Sequence, residues 1–261
     1  MIVVKFGGHA MKDENGAFAK AIAVAQKSGV ELVVVHGGGP QIDAALKAAA
    51  ITSDFVGGFR VTTPETFKIV ERVLADEVGP AVAQSLQREG VSAIAISGRK
   101  SRTLFAKPLK TLVDGTPVDL GLVGVITSVN SSSIKTAIAS GQVPVVSPIA
   151  CKESADSGLN VNADLAAAAI AGSLDADSLI IMTDVAGIYR SWPDQSSLIS
   201  EISYDELNSL KAGFAEGMAP KVQACLDAID GGARAVRIID GTDPSAFAAA
   251  LGNSGGTLVR K

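Results

Sequence analysis

Six short runs rich in β-branched residues recur along the chain, IVVKF at 2–6, ELVVVH at 31–36, SAIAIS at 92–97, VPVVSP at 143–148, SLIIMT at 178–183 and AVRIID at 235–240. Each ends near Gly, Ser, Thr or Asp, the punctuation expected where a strand gives way to a loop. Between them lie apolar residues at helical spacing: Phe18, Ala21, Ile22 and Ala25; Ile42, Ala45, Leu46 and Ala49; Val222, Cys225, Leu226 and Ile229. Near-continuous apolar strands that alternate with helices predict an α/β fold, a three-layer α/β/α sandwich around a mainly parallel central sheet. In such a sheet ligands gather beyond the carboxyl ends of the strands.

The rhythm breaks at about 102–122. There VDGTPVD holds an Asp114-Gly115 pair suited to a tight hairpin, and the segment is read as a hairpin lid. A soft lobe boundary is expected after the Ala-rich stretch LAAAAIAGSL, which divides the chain into an N-terminal lobe, 1–173, and a C-terminal lobe, 174–261, of one continuous domain. The polar stretch YRSWPDQSSLISEIS, with the single Trp, reads as a surface loop.

Composition bounds the function. With 47% hydrophobic residues in 261, the chain has material for a sizeable core. Cys151 and Cys225 lie in unrelated segments without metal-ligand spacing, so neither a disulfide framework nor a zinc site is expected, and a cytoplasmic setting fits. The start shows no apolar leader, and no stretch is long enough to span a bilayer, so no membrane association is expected. Net charge is −4 with Lys and Arg scattered, which argues against nucleic-acid binding. An acidic protein that handles anions must concentrate positive potential locally, which directs attention to lysines beside glycine loops.

Two such loops follow neighbouring strands. Lys5-Phe6-Gly7-Gly8 closes the first strand and His36-Gly37-Gly38-Gly39-Pro40 the second, each ahead of a helix. Glycines let backbone N–H groups approach an anion closely, and a helix N-terminus favours negative charge. Walker A spacing is absent, so the first loop is not a P-loop. His9 and His36 adjoin these loops, but no acidic partner is evident and both are read as scaffold residues.

Six ordered motifs, KFGGHAM at 5–11, HGGGPQI at 36–42, GGFRVTTPE at 57–65, NVNAD at 160–164, TDVAGIY at 183–189 and GMAPKV at 217–222, resemble those of the N-acetylglutamate kinases of the amino acid kinase family. The resemblance runs through almost the whole chain. It implies the carbamate kinase-like fold, with the acylamino acid in the N-terminal lobe and ATP in the C-terminal lobe. It also implies transfer of the γ-phosphoryl of ATP to the γ-carboxylate of N-acetyl-L-glutamate, the second step of arginine biosynthesis. By resemblance, Lys5 and Lys221 flank the travelling phosphoryl group and Asp164 holds both lysines. Arg60 would clamp the substrate α-carboxylate, Gly38 and Gly39 would meet its reacting end, and Asn160 would hold the acylamino acid, with Asn162 in support. Gly7, Gly8, Asp184, Gly187, Tyr189, Gly217 and Met218 would surround the nucleotide. Mg²⁺ would arrive on the ATP phosphates, with no direct protein ligand and water-mediated contact at most to Asp164.

An ionised carboxylate needs no base, which accounts for the lack of a Ser/His/Asp relay or paired-carboxylate pattern. Positioning plus cations should suffice. Related readings are a kinase for carrier-protein-linked aminoadipate and a non-catalytic amino acid sensor; intact NVNAD, GFRVT and catalytic lysines favour the acetylglutamate reading. Arginine-inhibited relatives carry a helix before the first strand, whereas this sequence opens on that strand, so a homodimer with weak or no arginine feedback is expected.

Overall fold

The protein is described from a computed structural model covering residues 1–7, 11, 15–153, 157–214 and 217–261. Gly8 and His9 of the first loop lie outside the described residues. In chain order the first half runs β1 (Ile2–Phe6), α1 (Ala17–Lys27), β2 (Leu32–His36), α2 (Gly39–Ala48), β3 (Phe55–Val56), β4 (Phe59–Arg60), α3 (Pro64–Glu71), α4 (Gly79–Arg88), β5 (Ala93–Ser97), β6 (Leu104–Pro108) and β7 (Val123–Val129). The second half runs α5 (Ser132–Ala139), β8 (Val143–Ser147), β9 (Ile149–Lys152), β10 (Gly158–Val161), α6 (Ala163–Ser173), β11 (Ser178–Thr183), β12 (Glu201–Ser203), α7 (Tyr204–Leu210), α8 (Ala219–Asp230), β13 (Ala235–Asp240), α9 (Pro244–Leu251) and β14 (Thr257–Arg260).

All six β-branched runs are strands of one eight-stranded sheet, ordered β12-β14-β13-β11-β1-β2-β8-β5. The strands from β13 to β5 are parallel, and β14 joins β13 antiparallel. Strand alternation sorts the core into two layers. Val3, Val35, Leu179 and Ile181 face α6 and α8, while Val4, Val34, Ile180 and Met182 face α1, α4 and α9. Because β1 pairs with β11 in parallel, the sheet is continuous across residues 173 and 174.

The structure departs from the sequence reading in several places. Ala49, read as part of the buried face of α2, is exposed, because that helix ends one residue earlier. The stretch at 189–203 includes the short edge strand β12, paired with β14. Within 102–122, β6 is followed by a small turn bridged at Thr111 and Pro117, around Asp114. Strands β6, β7, β9 and β10 close into a small barrel that no periodicity announced, since strands this short carry little pattern.

Between α3 and α4 the rod widens into a π-helical stretch, Arg72–Val78, just ahead of Pro80. Proline has no N–H and crowds the preceding turn, so a locally widened helix accommodates it. Gly79 brings the rod down onto β2: a Cβ there would stand 3.1 Å from His36 Nε2. His36 is fully buried, its Nδ1–H donates to the Gly37 carbonyl at 2.7 Å, and Nε2 finds no partner. Burial pushes its pKa down to about 4, against a smaller upward pull from the Gly37 carbonyl.

Folded His36 thus stays neutral where an unfolded histidine takes a proton, so its contribution to stability is complete above the ordinary value of 6.5 and is lost as pH falls from there toward 4. Integrated over that window the loss is about 3 kcal/mol. Urea denaturation between pH 7.5 and 4.5 should show this decline, and His36→Gln, whatever its absolute stability, should show a flatter one. An equal slope in both proteins would refute the assignment.

Candidate active site

Lys5 occupies the fourth position of β1, on the same face as Val3, so strand alternation aims it toward α6 and α8. Asp164 stands in the first turn of α6, and Lys221 in the first turn of α8. Those helices run side by side in the same direction. At their far ends Gly172 lies against Gly231, where a Cβ on Gly172 would come within 2.8 Å of the Gly231 Cα. Small residues at that end permit the close approach, and Asp164 and Lys221 meet at the other.

The result is one carboxylate between two ammonium groups. Lys5 Nζ is 3.0 Å from Asp164 Oδ1, and Lys221 Nζ is 3.2 Å from Oδ2. Lys5 also donates to the Met182 carbonyl of β11 at 3.2 Å. Asp164 and Lys5 are buried and Lys221 partly so. Burial alone would raise the Asp164 pKa, but Lys5 and Lys221 together outweigh it and hold the carboxyl below its ordinary range. Two cations against one anion leave a local positive excess at the carboxyl ends of β1 and β11, where the strand order turns.

Beside the triad opens a cavity of about 230 Å³, lined by Lys5, Gly37 to Gly39, Arg60, Asn160 and Asp164 among others. A Cβ on Gly7 would fall 2.8 Å from both Cε and Nζ of Lys5, so the lysine lies across that glycine. Gly39 opens α2, and a Cβ on it would meet nothing within 4 Å. It also lines the cavity, and its N–H belongs to the first turn of a helix, where no intrahelical acceptor is available, as at an anion site. Gly38 lies under Leu74 of the π-helical stretch.

The NVNAD motif divides its labour. Asn162 caps α6, its Oδ1 accepting from the N–H groups of Asp164 at 2.8 Å and Leu165 at 3.3 Å, which fixes the Asp164 backbone. Asn160, on β10, donates to Thr62 Oγ1 at 3.1 Å, and Thr62 donates to the Arg60 carbonyl at 2.8 Å. Arg60 is buried, with its guanidinium 4.5 Å from the centre of the Phe55 ring and its Nη2 2.6 Å from Asp43 Oδ1. Sequence reasoning passed over Asp43 and Thr62, because a single acid on a helix and a Thr after a strand read as solvated positions.

The residues assigned to the nucleotide sit one loop further out. Asp184 and Gly187 follow β11, and Gly187 packs on Thr257 of β14, where a Cβ would clash at 2.3 Å from Oγ1. Tyr189 meets Trp192 edge to face at 5.2 Å. Gly217 and Met218 lead directly into α8 and Lys221. Gly8 lies outside the described residues. Among the described residues no group of three or more His, Cys, Asp or Glu is arranged to hold a metal ion, and no helix is long and apolar enough to cross a membrane.

Comparison with known proteins gives a consistent picture. The profile of the amino acid kinase family matches residues 1–240. An acetylglutamate kinase from Mycolicibacterium gilvum is 44% identical over 243 residues, 92% of this chain and 83% of its own. Another from an Arthrobacter species is 45% identical over 251 residues, covering 93% and 81% of the two chains. Among solved structures, smu.665 from Streptococcus mutans superposes with a TM-score of 0.81 at 28% identity, over 99% of this chain and 98% of that one.

Removing the shared carboxylate leaves two facing cations, one of them buried, without compensation. Asp164→Asn should therefore cost about 3 kcal/mol of stability in urea denaturation at pH 7. Lys221→Met, at the more exposed end of the triad, should cost clearly less. An Asp164→Asn protein as stable as the parent would mean that the triad makes no net contribution to folding.

Proposed function

The chain belongs to the amino acid kinase family and, within it, to the acetylglutamate kinases, and from that premise we propose that it transfers the γ-phosphoryl group of ATP to the γ-carboxylate of N-acetyl-L-glutamate. The observation that carries this reading is the convergence of Lys5 and Lys221 on the buried Asp164 at the rim of a glycine-walled cavity.

The acceptor is an anion at neutral pH and attacks without a base. The barrier lies in bringing it against a polyanionic phosphate and in spreading charge over the phosphoryl oxygens. Lys5 approaches from the acceptor cavity and Lys221 from α8, so the two ammonium groups can stand on either side of the group in transit. Asp164 holds both in register through its two oxygens. Gly38, Gly39 and Arg60 line the cavity, which supports a role for the glycine N–H groups at the acceptor oxygens and for Arg60 at the α-carboxylate through a planar, two-donor contact. Asn160, tied to Thr62, offers its remaining amide oxygen to the substrate's N–H.

Every residue lining the cavity comes from 1–173, which supports the assignment of that lobe to the acylamino acid. The segment 102–122 is proposed as its lid, and 174–261 is assigned to ATP through Asp184, Gly187, Tyr189, Gly217 and Met218, with Gly7 and Gly8 added from the N-terminal lobe. The chain's donor set fits a metal carried by the nucleotide: both oxygens of Asp164 face lysines, Oδ1 with Lys5 at 3.0 Å and Oδ2 with Lys221 at 3.2 Å, which disfavours direct ligation and leaves a contact through metal-bound water. Mg²⁺ arriving on ATP neutralises phosphate charge. A homodimer is proposed as well, supported by β5, which ends the sheet with an open edge and carries Ile94, 39% exposed.

A hydroxylamine trap for acyl phosphate, run with ATP and a panel of acylated amino acids, tests the reaction directly. N-acetylglutamate should give the strongest signal, and Lys5→Ala and Lys221→Ala should each lower turnover by about 10²–10³, the cost of losing one electrostatic stabiliser. Near-normal rates in both variants would overturn the roles. Light scattering should return twice the chain mass, and Ile94→Arg should shift it to one; a monomeric parent protein would remove the dimer.

A further inference from the structure

Arg60 sits on the two-strand hairpin of β3 and β4, whose turn residues Gly57 and Gly58 have φ of 56° and 81°. Two consecutive left-handed residues make a tight hairpin of fixed twist. The Arg60 backbone is therefore set, and what needs fixing is the guanidinium at the end of a flexible stem. Two contacts do so. The Phe55 ring covers its face at 4.5 Å, and Asp43 Oδ1 takes Nη2 at 2.6 Å. Its other N–H groups make no hydrogen bond to the described residues.

The two partners of this pair lie on different sides of a wall. Arg60 lines both the substrate cavity and an outer groove of about 320 Å³, whereas Asp43 lines only the groove. An acid that competed with the substrate for the guanidinium would have to occupy the cavity. Asp43 instead grips the guanidinium from behind, and the cation stands between it and any carboxylate in the cavity. The side chains are 60% and 5% exposed respectively, so the acid is hydrated and adds little desolvation cost, while the cation it orients is confined.

We propose that Asp43 is a positioning residue: it holds one edge of the Arg60 guanidinium from outside the cavity so that the free edge faces the α-carboxylate of the acylamino acid. The proposal rests on the reaction proposed above and deepens it. It makes affinity for the α-carboxylate depend on a side chain that never touches substrate.

The test compares two substrates, N-acetylglutamate and 4-acetamidobutanoate, which is the same molecule without the α-carboxylate. Asp43→Ala should raise KM for N-acetylglutamate about two- to fivefold, the range for a half-exposed charge pair, with kcat within about 1.5-fold and KM for ATP unchanged. The poor reaction of 4-acetamidobutanoate should be the same in parent and variant. Asp43→Asn should fall between, since its amide oxygen still accepts but carries no charge. An equal loss on both substrates would assign Asp43 a structural role and overturn the proposal. So would an unchanged or lowered KM for N-acetylglutamate, the latter identifying Asp43 as a competitor. If the parent protein forms no acyl phosphate from N-acetylglutamate, the reaction itself is refuted and the proposal with it; an active parent with an unaffected Asp43→Ala removes Asp43 alone.

Discussion

A single buried carboxylate organises this molecule. Asp164 pairs with Lys5 on a strand and with Lys221 on a helix, and without it the two ammonium groups would face each other uncompensated. The pairing also ties distant parts of the chain together, since Lys5 belongs to β1 and Lys221 to α8. Because two cations share one anion, the site retains positive charge inside an acidic protein. That excess is what a phosphate requires, and it is confined to the carboxyl edge of a parallel sheet.

The rest of the architecture can be understood as support for that contact. Strand alternation turns Lys5 toward α6 and α8, the Asn162 cap fixes the backbone of Asp164, and the Gly172 to Gly231 contact sets the spacing of the two helices. On the acceptor side the same economy recurs. Gly7 makes room for the lysine stem, Gly39 opens α2 toward the cavity, and the β3–β4 hairpin presents Arg60 between Phe55 and Asp43. His36, beneath the π-widened rod, belongs to the scaffold: it is buried and neutral, and it does not line the cavity.

Legibility varied with the range of the interaction. The six strands could be read because β-branched runs and glycine punctuation are local, and helix faces could be read where the helix was long enough to show its period. The end of α2 at Ala48 and the π-helical stretch before Pro80 could not be read, because both depend on what the helix packs against. The small barrel of β6, β7, β9 and β10 escaped for a related reason: four short strands close on one another through pairings distant in sequence. At the site, the glycine loops, Lys5, Arg60, Asn160, Asp164 and Lys221 stood out through ordered motifs. Asp43 did not, since an acid on an exposed helical turn has no local mark that distinguishes an orienting partner from a solvated charge.

By itself the sequence determined the class of fold, the strands and the residue types able to meet an anion, because each of these follows from spacing along the chain. Tertiary structure decided which charges share a partner, which asparagine caps α6 and which bonds to Thr62, and on which side of Arg60 an acid would stand. Those outcomes depend on distances of about 3 Å between segments tens to hundreds of residues apart, and only the packing of helices on a twisted sheet sets them.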